Sequence, residues 1–146
     1  MPLRKKTKQI NPEQIPSRTE RDKEISDMPN YTNETYVKAM VQALDSKKGL
    51  DIQVLKVGSL TTLAEYFVIC TATSTTQVKA LSDEVEFRLK TDYEVMPHHV
   101  EGHDSASWIL LDYGFALVHV FLESARSFYG LEKLWKDATV VPVEEL

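Results

Sequence analysis

Residues 108–135, WILLDYGFALVHVFLESARSFYGLEKLW, decide the fold. Ser107 to Asp112 and Phe115 to Leu122 are two runs rich in large apolar and β-branched residues, separated by Asp112-Tyr113-Gly114. That is the pattern of two strands joined by a tight turn, in which Gly114 supplies the positive φ. Successive side chains of a strand point to opposite faces, so Trp108, Leu110 and Asp112 share one face while Ile109, Leu111 and Tyr113 share the other. Both faces are therefore largely apolar. One can pack under helices; the other needs a second layer of the chain, a twin subunit or a foreign protein. Glu123 to Lys136 then reads as a helix with Phe128, Leu131 and Trp135 on one side, interrupted at Gly130 because glycine costs about 1 kcal/mol inside a helix.

Upstream, Val37, Met40, Val41 and Leu44 fall at i, i+3, i+4 and i+7, and Thr32 or Asn33 can cap the helix they imply. Gly49 ends it. Asp51 to Val57 alternates around Ile52, Val54 and Val57 with Leu55 opposite, and Tyr66 to Ala72 (YFVICTA) is a nearly unbroken apolar run, the mark of a central strand. Ser74 and Gln77 fit a capping box for a second helix, whose inward face carries Val78, Leu81, Val85 and Leu89. Val95 to Glu101 is a short strand at best. The order is helix, two strands, helix, three strands, helix, which predicts one α/β domain with a five-stranded sheet flanked by helices over residues 31–140 and a tail at 141–146.

A chain of 146 residues with 42% hydrophobic and 27% charged content suits one globular domain, and no apolar run approaches the roughly 20 residues of a membrane span. The single cysteine, Cys70, forms no internal disulfide, and no export signal opens the chain, so a reducing cytoplasm or an organelle interior is expected, the cytoplasm first. Residues 1–30 hold four prolines, few large apolar groups and no sustained period, and are expected to form a disordered arm. Residues 1–28 carry seven Lys or Arg against five Asp or Glu, leaving ten basic and seventeen acidic residues for the body. A body of net charge −7 grips a phosphate backbone poorly, so little direct nucleic-acid binding is expected and the favoured partner is basic. The cluster Arg4, Lys5, Lys6 and Lys8 suits an RNA contact or part of an organelle-targeting sequence. A solvated tail is the simpler reading, and the arm's acidic residues argue against a transit peptide.

With these elements in place the chain resembles the ribosomal silencing factor family, also called Iojap-like. The resemblance is carried by Tyr66-Phe67-Val68-Ile69, Thr73-Ser74 with Gln77-Val78, Glu101-Gly102, Trp108 with Leu110-Leu111-Asp112-Tyr113-Gly114, Val118-His119-Val120-Phe121, Arg126, Tyr129, Leu131-Glu132 and Leu134-Trp135. It spans roughly residues 34–136, and the chain departs from the common pattern at Ala72, Phe115 and Gly130. The resemblance implies a mixed sheet similar to that of nucleotidyltransferases but no catalysis and no cofactor. It also implies binding to the large ribosomal subunit through its protein numbered fourteen, on the face where the small subunit docks. Subunit joining would thereby be blocked and translation repressed when nutrients are short; in organelle relatives the contact accompanies large-subunit maturation.

The residues expected to meet that partner are Trp108, Leu110, Asp112 and Tyr113 of the hairpin, with Glu101 and His119. Trp and Tyr dominate interface energetics, and carboxylates such as Glu101 and Asp112 speed encounter with a basic protein. An uncovered apolar face also predicts a homodimer in the free protein. The competing reading is a nucleotidyltransferase-like enzyme binding nucleotide and Mg²⁺ at the Gly58-Ser59 turn. It lacks a carboxylate pair on one strand face, because Glu84 and Glu86 fall at i and i+2 of a helix. His98, His99 and His103 lack a ligand-spaced partner motif and read as titratable loop residues rather than a metal site. His119 lies between valines and reads as a core or interface histidine with no nucleophile beside it. Cys70 reads as a small buried hydrophobe.

Overall fold

The computed structural model describes residues 31–146, apart from the side chains of residues 127–129, 132 and 134. The arm at residues 1–30 lies outside the described residues. Helix α1 (Asn33–Ser46) begins at Thr32, whose hydroxyl accepts from the Thr35 amide at 3.4 Å. The expected stripe turns inward: Val37, Met40 and Leu44 are fully buried. Strands β1 (Leu50–Lys56) and β2 (Tyr66–Ala72) follow as an antiparallel pair. Val57 points with Leu55 rather than with Val54, because β1 ends at Lys56 and the face alternates on.

Helix α2 (Thr75–Tyr93) starts with the capping box read from sequence. Ser74 Oγ accepts from the Gln77 amide at 3.1 Å, and Gln77 Oε1 accepts from the Thr73 amide at 2.9 Å. Gln77 does more than cap, since its Nε2 donates to the Lys48 carbonyl at 3.1 Å and ties α2 to the turn before β1. Such caps contribute about 1 kcal/mol each. The helix ends at Glu94 in a left-handed conformation. Strands β3 (His99–Glu101), β4 (Trp108–Asp112) and β5 (Ala116–Leu122) come next, then helices α3 (Glu123–Tyr129) and α4 (Leu131–Leu134) and strand β6 (Thr139–Val141).

The sheet is mixed and runs β3-β4-β5-β2-β1-β6. Its one parallel pair, β2 with β5, sits at the centre, and β2 is buried at all seven positions, as its apolar run requires. Six strands are present rather than the five expected. Val140 pairs with Leu55 and Val141 with Val54, so residues assigned in part to a tail extend the sheet, and Val143 and Leu146 pack on the core behind them. A three-residue strand carries too little alternation to be recognised, and only its long-range partner defines it. Glycine divides the last helix as expected: Gly130, at φ +55, ends α3 and starts α4.

Helices α1 and α2 cover one sheet face. Beneath them Val54, Val68, Cys70, Ile109, Leu111, Val118 and Val120 form the larger core with Met40, Leu44, Leu81 and Leu89. On the opposite face Leu55, Val57, Phe67, Ile69, Phe121 and Leu131 make a smaller cluster, with Trp108, Leu117 and Trp135 half-buried at its margin. That second layer is short. Helix α3 packs on β5 and β2, away from the β3 edge of the face.

Candidate functional site

The uncovered end is built by register. Across the sheet Glu101 faces Leu110 and Leu110 faces His119, while in the next row His99 faces Asp112 and Asp112 faces Leu117. Trp108 stands opposite Phe121. Because these positions share a face, the surface reads from its edge inward as two polar groups, His99 and Glu101, then half-buried Trp108, Leu110 and Asp112, then Leu117. Underneath lie Phe121 and His119, both buried. The result is a small apolar surface bordered by carboxylates.

Trp108 rests on the rings of Phe121 and His119. Its indole stacks on Phe121 with centroids 4.9 Å apart, and its Nε1 donates to Nδ1 of His119 at 3.2 Å. His119 in turn lies nearly coplanar in orientation with Phe121, at 5°, and meets Phe67 edge-on at 4.9 Å. The carboxylates are engaged locally as well. Glu101 Oε1 lies 2.7 Å from His99 Nε2, and Asp112 Oδ1 accepts from the Gly114 amide at 2.8 Å, closing the turn in which Gly114 takes φ +84.

Six residues were expected to meet a partner, and the structure separates them. Trp108, Leu110, Asp112 and Glu101 share the open face. Tyr113 does not: only 3% of it is exposed, and its ring belongs to the helix-side core with Ile109 and Leu111. An odd-numbered position in this strand faces α2, so its aromatic character serves packing rather than docking. Burial, and then the nearby Glu86 charge, push its phenol pKa far above the ordinary value. His119 is on the open side of the sheet but 4% exposed, a support for Trp108 rather than a contact. Leu117, half-buried opposite Asp112, completes the surface.

The histidine-rich stretch is dispersed. His99 turns to Glu101, His103 Nε2 lies 3.6 Å from Asp83, and His98 packs against Gly114. Among the described residues no group of three or more His, Cys, Asp or Glu is gathered as a metal site would need. Gly58-Ser59 belongs to a turn in which Leu60 and Thr61 amides donate to the Val57 carbonyl. Glu84 pairs with Arg88 at 3.1 Å, one turn along α2, whereas Glu86 is half-buried, and burial followed by the Asp83 charge raises its pKa. Cys70 is fully buried in β2 and its thiol is pushed up to about 12, chiefly by burial. Among the described residues no helix is long and apolar enough to cross a membrane.

One feature had a sequence signal without an assigned role. Arg126, on α3, donates from Nη1 to the Asp51 carbonyl and to Thr71 Oγ1, both at 2.6 Å. Asp51 lies in the irregular stretch between Leu50 and Gln53 where the β1-β2 register shifts, at φ +46, so the guanidinium satisfies a carbonyl that the ladder has released.

The architecture is thus an α/β single domain, a mixed six-stranded sheet with helices on both faces, whose second helical layer stops short of one sheet edge. Residues 30–146 match the family model described as "Ribosomal silencing factor during starvation", and the chain belongs to that family. It is 36% identical over 108 residues to the ribosomal silencing factor RsfS of Bacillus subtilis, covering 74% of this chain and 91% of that one. It is 33% identical to the chloroplastic protein Iojap of Zea mays, covering 75% of this chain and 46% of that protein. Among solved structures, a Chromobacterium violaceum protein at 37% identity superposes with a TM-score of 0.70, covering 73% of this chain and 88% of its own.

Proposed function

We propose that this protein is a non-enzymatic ribosomal silencing factor that binds the large ribosomal subunit through a basic ribosomal protein, the one numbered fourteen, and so blocks subunit joining. The observation that carries the reading is the surface of Trp108, Leu110 and Leu117 bordered by Glu101 and Asp112, left uncovered by the helices of a domain whose family is defined by ribosome silencing. Apolar area with one aromatic anchor slows release, and carboxylates at the rim speed encounter with a positively charged partner. A curated relative from Mus musculus, 31% identical, is named for mitochondrial assembly of the large ribosomal subunit, which also supports that partner. Bound there, the domain would act by steric exclusion, repressing translation under nutrient limitation in the cytoplasm.

The same surface supports homodimerisation of the free protein, because an apolar patch is a liability when bare. Light scattering at tens of micromolar, about where weak interfaces populate, should report a dimer; monomer alone would exclude it. The docking reading is tested by sedimentation with purified large subunits. Wild-type protein should travel with them and Trp108→Ala, still folded by circular dichroism, should stay at the top of the gradient. Unchanged comigration of the variant would move the site elsewhere. The enzymatic alternative predicts Mg²⁺-dependent nucleotide binding in a calorimetric titration, and the dispersal of acidic side chains described above weighs against it.

A further inference from the structure

Away from the open face, four rings from separate elements meet at one end of the domain. Tyr31 precedes α1, Tyr36 lies in its first turn, Tyr93 is the last residue of α2 and Phe115 follows the Gly114 turn. Tyr31 meets Tyr36 and Tyr93 edge-on with centroids 6.0 and 4.9 Å apart, and Tyr36 meets Tyr93 at 5.5 Å and Phe115 at 5.4 Å. Rings that served only to pin two helices together would be covered. Tyr31 is instead 42% exposed, the other three are half-buried, and none of the three phenol hydroxyls has a hydrogen-bond partner among the described residues. The rim is acidic. Glu34 stands in the first turn of α1, Asn33 donates to Glu65 at 2.8 Å, and both carboxylates, after burial itself, raise the pKa of the Tyr66 hydroxyl. Asp92 and Glu94 flank Tyr93 at the end of α2, while Lys38 and Lys90 lie about one turn farther in along their helices.

Tyrosine offers a partner a broad rigid face and a hydroxyl at little cost in side-chain entropy, which is why it is common at binding surfaces. Three classes of partner could use these rings, and charge separates them. Nucleic-acid bases stack on aromatic faces, but their phosphates would meet Glu34, Glu65 and Glu94. A second copy would bring the same carboxylates against their own kind. An Arg or Lys gains twice, from the ring faces and from the acidic rim. The β4-β5 turn links this end to the open face, because Asp112 borders one and Phe115 belongs to the other. Resting on the docking reading above for the partner's identity, we propose that the Tyr31-Tyr36-Tyr93 cluster is a second contact surface, which grips an arginine- or lysine-rich segment of the same basic protein.

Two measurements test this. The full chain with labelled tyrosine rings is titrated by NMR with hexa-arginine, and the Tyr31 and Tyr93 signals should shift saturably. Tyr31→Phe keeps the ring and should bind nearly as well as wild type. Tyr31→Leu should bind about two- to fivefold more weakly, the size of one exposed cation–π contact. Glu34→Gln combined with Glu65→Gln should weaken binding and reduce its salt dependence. Thermal melts close to wild type show that these exposed substitutions leave the fold intact, and a merely structural cluster would show neither the graded affinity nor the salt effect. Undiminished peptide binding by Tyr31→Leu, or shifts confined to the surface around Trp108, would overturn the site. Tighter binding of oligouridylate than of hexa-arginine would overturn the partner class in favour of RNA, and ring shifts that depend on protein concentration without peptide would overturn it in favour of a second copy. With purified large subunits, Tyr31→Leu should lose about two- to fivefold in affinity; no loss would overturn the contact with that partner. If wild-type protein fails to bind large subunits while the peptide results hold, the docking reading falls and the site for a basic segment stands.

Discussion

Gly102 approaches the backbone of Trp108 so closely that a Cβ on it would overlap the Trp108 carbonyl oxygen. Gly102 also holds φ +85, a conformation that costs a residue with a side chain about 1 kcal/mol. The turn between β3 and β4 therefore sets where the anchor tryptophan starts. Gly102→Ala is expected to lower stability by about 2 kcal/mol or more, combining the strained dihedral with displacement of an atom that cannot yield, and to weaken large-subunit binding beyond what unfolding explains. Denaturant melts combined with sedimentation of the folded fraction check both; a variant as stable as wild type would show that the loop relaxes freely.

Gly49 and Cys70 form a second tight pair. A Cβ at Gly49 would collide with Cys70 Sγ and press on the Leu44 carbonyl at 3.0 Å and Leu81 Cδ2 at 3.2 Å. Gly49→Ala should therefore destabilise by about 2 kcal/mol, in the range of overpacked cores. Cys70→Ala, which empties the site the new methyl invades, should recover part of that loss when combined with it. A double-mutant cycle without positive coupling would locate the strain elsewhere.

The thiol of Cys70 should be inert in the native protein. With its pKa raised to about 12 from 9.0 and no exposed surface, thiolate is scarce at pH 8, and alkylation should proceed only at the rate of unfolding. The sign of the linkage is set by the unfolded chain ionising first. Stability from this group is complete below pH 9 and is lost as pH rises from 9 towards 12. Cys70→Ala should flatten that decline, and rapid native-state alkylation would contradict the burial.

Tyr113 carries a buried hydroxyl with no hydrogen-bond partner among the described residues. Removing an unsatisfied polar atom while keeping the ring should leave stability unchanged or raise it by about 1 kcal/mol, so Tyr113→Phe should melt at the wild-type temperature or above. Its large-subunit affinity should not change, since the ring faces α2. Loss of binding by this folded variant would restore Tyr113 to the interface.

Arg126→Ala should cost about 1–3 kcal/mol, the range for hydrogen bonds donated by a charged group when one partner, here Thr71, is left buried, and Arg126→Lys should recover little because one ammonium replaces a planar fork. Hydrogen exchange at the start of β1 should rise in both. If only global stability changes, the clamp on Asp51 is not what Arg126 contributes.

What sequence could reveal here follows length. The stripe of α1, the seven-residue apolar run of β2 and the Ser74-Gln77 cap repeat their signals over enough residues to be read, and the alternation of β4 sorted Trp108 from Ile109 correctly. Strand β6 escaped because three residues cannot establish a period. Tyr113 is buried where exposure was expected, for a different reason. Its face was read correctly, but both faces of β4 are apolar, and only packing shows that α2 covers one and nothing described covers most of the other. The inward bond from Trp108 to His119 joins residues that are diagonal neighbours across the β4-β5 hairpin, so side-chain geometry rather than pattern was needed to find it.

The central parallel pair has a kinetic consequence. β1 with β2 and β4 with β5 are local hairpins that close over short loops, whereas aligning Tyr66 with Ala116 must bridge all of α2 and β3 first. Loop closure of that span precedes its reward. The two ribbons are thus expected to assemble separately and meet late, so that during maturation of the polypeptide the greasiest strand, β2, waits unpaired on one side for the arrival of β5.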